Sequence, residues 1–300
     1  MRIGYPCINT TIGCKSNRTF RLKSYSEDRL IETVENNIVC LSEILEFNLR
    51  HNLLFFRITS DLVPFASHSI CRFNWQKHFK KHFKAIGDFI KSNNMRISMH
   101  PDQFTLINSV DRSVFENSIR ELAYHAEALD LMELDNSAKI QIHVGGVYGD
   151  KEKSMKRFEK RFEILDERIK RRLVIENDDR RYKLKDCLWI NGETKIPVLF
   201  DVLHHEINNS GETIREAFGL FTRTWKEKDG LPMVDYGSSK EDCLKGKHSK
   251  SIDLEHFDNF LEETRAFDFD LMLEIKDKEK SALKARDIAL HDDRFLTGNP

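Results

Sequence analysis

The sequence predicts an α/β fold, a (β/α)8 TIM barrel, and three observations carry that prediction. A short apolar, β-branched run followed by a longer charged stretch of helical periodicity recurs eight times along the 300 residues. Eight such units in about 250 to 300 residues match the size and rhythm of a barrel. A doubly wound open sheet usually has fewer strands and a glycine-rich phosphate turn after the first. Here the first strand runs into Pro6-Cys7-Ile8-Asn9, and Gly145-Gly146 follows the fourth strand at the wrong spacing for such a turn.

Taken in order, the first candidate strand is Arg2–Ile8, followed by a helical stretch over Glu27–Asn48. Leu53–Thr59 precedes the helix Trp75–Asn93, and Arg96–His100 precedes Ser113–Leu134. Lys139–Val144 leads to Lys151–Arg171, and Leu173–Glu176 to a short helix over Leu184–Ile190. Val198–Val202 is followed by Glu212–Lys226, Pro232–Tyr236 by Leu254–Thr264, and Asp270–Ile275 by Lys278–Ile288. No Pro- or Gly-rich linker divides the chain and no literal repeat occurs, so residues 1–290 read as one barrel domain. His291–Pro300 lacks periodicity and is expected to fray.

A 40% apolar content is enough for a full-sized core, and the formal net charge of -1 confines any nucleic-acid site to a local patch. No stretch approaches the roughly 18 continuous apolar residues of a membrane span. The first residues lack the basic, apolar and small-residue succession of a signal peptide. A soluble, cytoplasmic protein is expected. The six cysteines, Cys7, Cys14, Cys40, Cys71, Cys187 and Cys243, form no C-x-x-C pair and are expected to be reduced.

Barrel active sites are built from the C-terminal ends of the strands and the loops beyond them. Those positions hold His68, His100, His143, Glu176, Asp201, His204, Asp235, His248 and Glu274. Glu176 follows Leu-Val-Ile, Asp201 follows Val-Leu-Phe, and Glu274 follows Leu-Met-Leu. A charge buried in such a strand is costly unless it is paired or bound to a metal. One case alone reads as an ion pair, but several at one barrel height repel each other, and divalent cations would balance them. Mixed imidazole and carboxylate donors suit Zn, Mn or Fe. Nine donors exceed the needs of one ion, so two or three ions are implied, an arrangement suited to phosphodiester hydrolysis. His78 and His82 lie i, i+4 among lysines and read as a solvated face. His51, His125, His205, His256 and His291 read as packing or surface residues.

Evidence for a nucleic-acid partner is thinner. Lys151–Arg172 holds ten Lys or Arg against five Asp or Glu, and with Lys77–Lys84 it could grip phosphates, although such runs are usually solvated faces. Tyr5, Asn9, Gln103 and Phe104 offer stacking surfaces and amide groups for an extruded nucleotide.

Seven ordered motifs sharpen this reading: R-I-G-Y-P-C-I-N, F-R-I-T-S-D-L-x-P-F-A-S-H, S-M-H-P-D-Q-F, I-H-V-G-G, I-E-N-D-D, F-D-x-x-H-H and E-I-K-D-K-E. Together, from Arg2 to about Glu279, they resemble the UV damage endonuclease family. The resemblance implies a barrel related to the apurinic endonucleases and xylose isomerase-like proteins. It also implies a cluster of up to three divalent ions, commonly manganese, with zinc or magnesium as alternatives. The implied partner is damaged double-stranded DNA, acted on by a monomer without a nucleotide cofactor. The implied reaction is hydrolysis immediately 5′ to cyclobutane dimers, 6-4 photoproducts and abasic sites, leaving a 3′-hydroxyl and a 5′-phosphate. Carried over by motif, the nine strand-end residues named above become the metal ligands, with Glu176 and Glu274 central to catalysis. Gln103 and Phe104 fall where the family has a Gln-Tyr pair that fills the space left by the lesion, and Tyr5 and Asn9 lie on the lesion-facing first strand. Two departures stand out: Phe104 lacks the hydroxyl, and Met233 stands where a lysine, carboxylated in some members, is expected. The alternatives are a metal-dependent sugar isomerase or epimerase of the same superfamily and a non-catalytic damage-binding protein.

Overall fold

The computed structural model describes residues 1–238 and 248–298, and within them eight parallel strands close into a barrel in chain order. The strands are β1 (Ile3–Pro6), β2 (Phe55–Ile58), β3 (Arg96–Met99), β4 (Lys139–His143), β5 (Leu173–Glu176), β6 (Val198–Asp201), β7 (Met233–Tyr236) and β8 (Asp270–Leu273). Each lies inside its expected span; β5 fills it, and the other seven are shorter by one to three residues. Seven strands are buried along their whole length and β4 up to its last residue, His143, because side chains alternate between the barrel lumen and the helix layer.

The helices are α1 (Glu27–Arg50), α2 (Trp75–Ser92), α3 (Arg112–Leu131), α4 (Lys151–Glu163), α5 (Glu167–Lys170), α6 (Leu184–Thr194), α7 (Val202–Ile207), α8 (Ile214–Phe221), α9 (Leu254–Glu263) and α10 (Glu279–Ala289). Local chemistry explains where they depart from expectation. The stretch read as one helix over Lys151–Arg171 breaks because Asp166 caps a new turn, its side chain accepting from the Arg168 amide at 2.8 Å. α7 begins directly where β6 ends, with no intervening loop.

The strand register decides which residues can reach a site. Gly4 pairs with both Phe55 and Met272, so Gly4 and Pro6 face the lumen while Ile3 and Tyr5 face the helices. At Gly4 the strands come too close for a side chain: a β-carbon would lie 1.6 Å from the Phe55 carbonyl oxygen. The N-terminal end of the lumen is plugged by ion pairs, with Arg96 2.8 Å from Asp270 and Lys139 2.5 Å from Asp229. Met233 is buried in the lumen, one inward position before Asp235 on β7.

Two expectations are corrected. Cys14 and Cys40 are joined as a disulfide, with Cα atoms 5.8 Å apart; folding the β1–α1 loop back onto α1 brings together residues 26 apart, a proximity that spacing motifs do not reveal. Cys7, Cys71 and Cys187 are free thiols, and Cys243 lies outside the described residues. Within the segment expected to fray, the described residues 291–298 are instead docked. Arg294 donates to the carbonyls of Thr264, Phe267 and Leu261 at 2.7 to 3.0 Å, and the Leu296 amide bonds to the Met1 carbonyl at 2.9 Å.

The basic run is also partly claimed by the fold. Arg157 donates to the Asn108 carbonyl at 2.7 Å and Arg161 to that of Ile107 at 2.8 Å, which holds the β3–α3 loop. Arg172 is buried against Asp130. Three of its ten cations are thus committed to the fold rather than to a ligand. Among the described residues, no helix is long and apolar enough to cross a membrane.

Candidate metal centre at the barrel mouth

The uppermost inward positions of six strands, with the residues just beyond them, form one layer. β4 and β5 pair His143 with Glu176, and β6 and β7 pair Asp201 with Asp235. His100 follows β3 by one residue and Glu274 follows β8 by one. Two groups result. His100, His143 and Glu176 each offer a donor atom within 4.8 Å of the others, as do Glu176, Asp201 and Asp235. Glu176 belongs to both, its Oε1 lying 3.3 Å from His100 Nε2 and 2.9 Å from His143 Nδ1.

Neighbouring backbone carbonyls set the imidazoles. His100 Nδ1 lies 2.9 Å from the Pro101 carbonyl oxygen and His204 Nδ1 3.0 Å from that of Asn177. A proton donated there leaves Nε2 of each ring as a free lone pair, the arrangement common for metal-ligating histidines. Local folding places His204. Asp201 ends β6 and caps α7, its Oδ1 accepting the His204 amide at 2.7 Å, so the strand becomes a helix within three residues. On the far side of the mouth, His248 Nε2 lies 3.2 Å from Glu274 Oε2.

The electrostatics fit a cation. Burial pushes Asp201 up to about 7, and the nearby Glu274 and Glu176 carboxylates add to the rise against the attraction of His204. Asp235 is likewise raised by burial and by the same neighbours, despite the Arg57 guanidinium. Burial alone would lower His143, yet Glu176 lifts it to about 9. Without added positive charge, then, the layer takes up protons. His143 Nδ1 and Glu176 Oε1, both fully buried, face each other without a hydrogen bond of good geometry. A divalent ion would satisfy both lone pairs at once, so the donor set fits such an ion.

Three expected residues stand apart. His68 is exposed, accepts the Ile70 amide on Nδ1 at 3.0 Å, and makes no ion pair with the cluster carboxylates among the described residues. Tyr5 and Asn9, expected to face a lesion, are internal. Tyr5 lies on the outward side of β1, its hydroxyl donates to Asn48 at 2.6 Å, and it accepts from the Asn9 amide at 2.9 Å. A side chain enclosed in this way presents no face to a base.

Gln103 and Phe104 do reach solvent at the rim. Phe104 is 71% exposed and lines a cleft with Gly146, Val147, Tyr148 and Arg181. A second cleft of about 390 Å³ runs from Gln103 past His100, His143, His248 and Glu274 to Lys276 and Lys278.

Two residues of the layer were not singled out from sequence. Arg57 on β2 donates to both Asp235 oxygens at 2.7 and 2.8 Å, to Gln141 at 2.7 Å, and to Glu274. Gln141 on β4 donates in turn to Glu176 and to Asp235. A signal for both was present: an arginine inside L-L-F-F-R-I and the alternation Lys139, Gln141, His143 each put polar side chains into the lumen.

An eight-stranded barrel whose mouth gathers imidazoles and carboxylates in this way defines a TIM-barrel protein with side-chain groups that could hold metal ions. Residues 1–293 match the family model described as UV-endonuclease UvdE. The chain belongs to that family. The UV DNA damage endonuclease of Clostridium perfringens is 42% identical over 286 residues, which cover 95% of this chain and 69% of that protein. The crystal structure of SacUVDE superposes with a TM-score of 0.93 at 47% identity, over 97% of this chain and 98% of that one. Endonuclease IV from Thermus thermophilus, with a TM-score of 0.55 and 15% identity over 83% of this chain and 92% of its own, shares the fold.

Proposed function

We propose that this protein is a DNA repair endonuclease that nicks ultraviolet-damaged duplex DNA immediately 5′ to cyclobutane dimers and 6-4 photoproducts, and also cuts at abasic sites. It acts as an intracellular monomer and leaves a 3′-hydroxyl and a 5′-phosphate. The observation that carries this reading is the pair of donor groups sharing Glu176 at the mouth of a barrel of this family. Manganese is the expected metal, with His100, His143, Glu176, Asp201, Asp235 and His204 as its candidate ligands. Bound divalent ions would supply an activated water and neutralise the phosphate oxygens.

The rest falls to the chain's own side chains. The Pro101 and Asn177 carbonyls fix the tautomers of His100 and His204, and Gln141 orients Glu176 by donating to it. Lys276 and Lys278 line the cleft beside the ligands and are placed to meet backbone phosphates, as are Arg180 and Arg181 on the opposite rim. Gln103 and Phe104 enter the gap left by an extruded lesion, Phe104 by stacking and Gln103 by amide hydrogen bonds.

Supercoiled plasmid irradiated with ultraviolet light is expected to relax in manganese buffer without ATP, with chelator abolishing the reaction. Equal nicking of untreated plasmid would refute lesion specificity. No nicking at all would favour a damage-binding protein, and turnover of a ketose or aldose a sugar isomerase. For the rim aromatic, Phe104→Ala is expected to weaken binding to damaged duplex about tenfold, since base–aromatic stacking contributes roughly 1–3 kcal/mol. Metal content is expected to stay unchanged. An unaltered dissociation constant in a fluorescence-anisotropy titration would remove Phe104 from the interface.

A further inference from the structure

The ligand set carried over from the family gives Asp235, His248 and Glu274 to metal, but the structure commits two of them to another cation. Arg57 projects from β2 into the same layer and is 3% exposed. One of its terminal nitrogens contacts both oxygens of Asp235 and the Gln141 carbonyl oxygen, and the other contacts Glu274. Asp235 Oδ2 also accepts from Gln141 at 2.5 Å, so each of its oxygens already meets a donor. Glu274 has one oxygen on Arg57 and the other 3.2 Å from His248.

We propose that Arg57 is a built-in cation of the site. Its guanidinium takes the place between Asp235 and Glu274 that a third divalent ion would fill, so this chain loads two ions and no more. The inference rests on the metal reading given above and narrows it. The two ions divide among His100, His143, Glu176, Asp201 and His204. Asp235 becomes a positioning residue that anchors Arg57 and Gln141, and through Gln141 steadies Glu176.

Charge supports this count. Glu176, Asp201, Asp235 and Glu274 are four carboxylates, and two divalent ions with one guanidinium leave the layer with a single positive charge, suited to a phosphodiester anion. A third ion would crowd the guanidinium at close range, in a buried setting where like charges are poorly screened. The position of Met233 accords with this. An apolar thioether below Asp235 adds no anion to attract another metal, whereas a carboxylated lysine would.

The test is a count of bound metal. The intact chain is stripped with chelator, loaded with manganese, cleared of excess and measured by elemental analysis, with calorimetric titration as a second readout. Two equivalents per chain are expected. Asp235→Asn is expected to keep both, whereas Asp201→Asn loses at least one. Arg57→Met is expected to admit a third equivalent, and if that variant does not fold, the counts for the unaltered chain and Asp235→Asn still decide. Three equivalents in the unaltered chain, or loss of one in Asp235→Asn, would overturn the inference while leaving the metal reading intact. A chain that binds none would overturn both.

Discussion

Glu176→Gln is expected to abolish nicking of irradiated DNA almost completely, by roughly a thousandfold or about 4 kcal/mol of transition-state stabilisation. Volume and most packing survive the change. What is lost is the anion that both donor groups share and that His100 and His143 address together. A neutral amide also turns an NH2 towards the histidines or towards Gln141, replacing an acceptor with a donor. Metal content is therefore expected to fall with activity, and His143, no longer held protonated by Glu176, returns towards its ordinary range in the metal-free protein. Glu274→Gln is a useful contrast, because that carboxylate is already committed to Arg57 and His248. Its loss is expected to reduce cleavage while leaving more metal in place. Full metal content and full activity in Glu176→Gln would show that the carboxylate is an ordinary buried ion-pair partner.

The fold was legible because each strand of a parallel barrel is buried on both faces and therefore reads as a continuous apolar run. That same property made Glu176, Asp201 and Glu274 visible, as charges ending such runs. What stayed hidden depended on parity and on contacts between distant segments. Tyr5 looked lesion-facing because it lies on the first strand, yet the register with β2 and β8 puts Gly4 and Pro6 inward and turns Tyr5 towards α1. Arg57 was passed over because one cation in a strand suggests no chemistry until its partners are known, and those partners lie 178 and 217 residues away. α7 escaped because its cap, Asp201, reads from sequence as a candidate ligand; in the fold one of its oxygens takes the His204 amide and the other lies 3.5 Å from the His204 ring. In Lys151–Arg172, sequence gives the charge but not the carbonyls and carboxylates that claim much of it.

Stability against pH gives the second large effect, and it is expected to differ between the metal-free and metal-loaded protein. In the metal-free chain, burial together with Glu274 and Glu176 raises Asp201 from 3.8 to about 7. Below pH 3.8 the group is protonated in both folded and unfolded states and contributes nothing. As pH rises towards 7 the unfolded chain gives up the proton while the folded one keeps it, so folding is progressively penalised. His143, lifted by Glu176 from 6.5 to about 9 against the effect of burial, contributes stability that is complete below 6.5 and lost as pH rises through 9. Both groups therefore weaken the metal-free protein across roughly pH 5 to 9. Glu274 acts at the other end: Arg57 and His248 outweigh burial and hold it at about 2, so its contribution disappears only as pH falls from 4.5 towards that value. Bound divalent ions reverse the first two effects, because they favour an ionised Asp201 and a neutral His143. Thermal unfolding in chelator is expected to fall from about pH 5 to 9, while manganese raises the midpoint more at each higher pH. The gap between the two is expected to widen by on the order of 5 °C or more for a domain of this size. Midpoints that run parallel across the range, with and without manganese, would mean that Asp201 and His143 exchange no protons for metal and that the cation binds elsewhere.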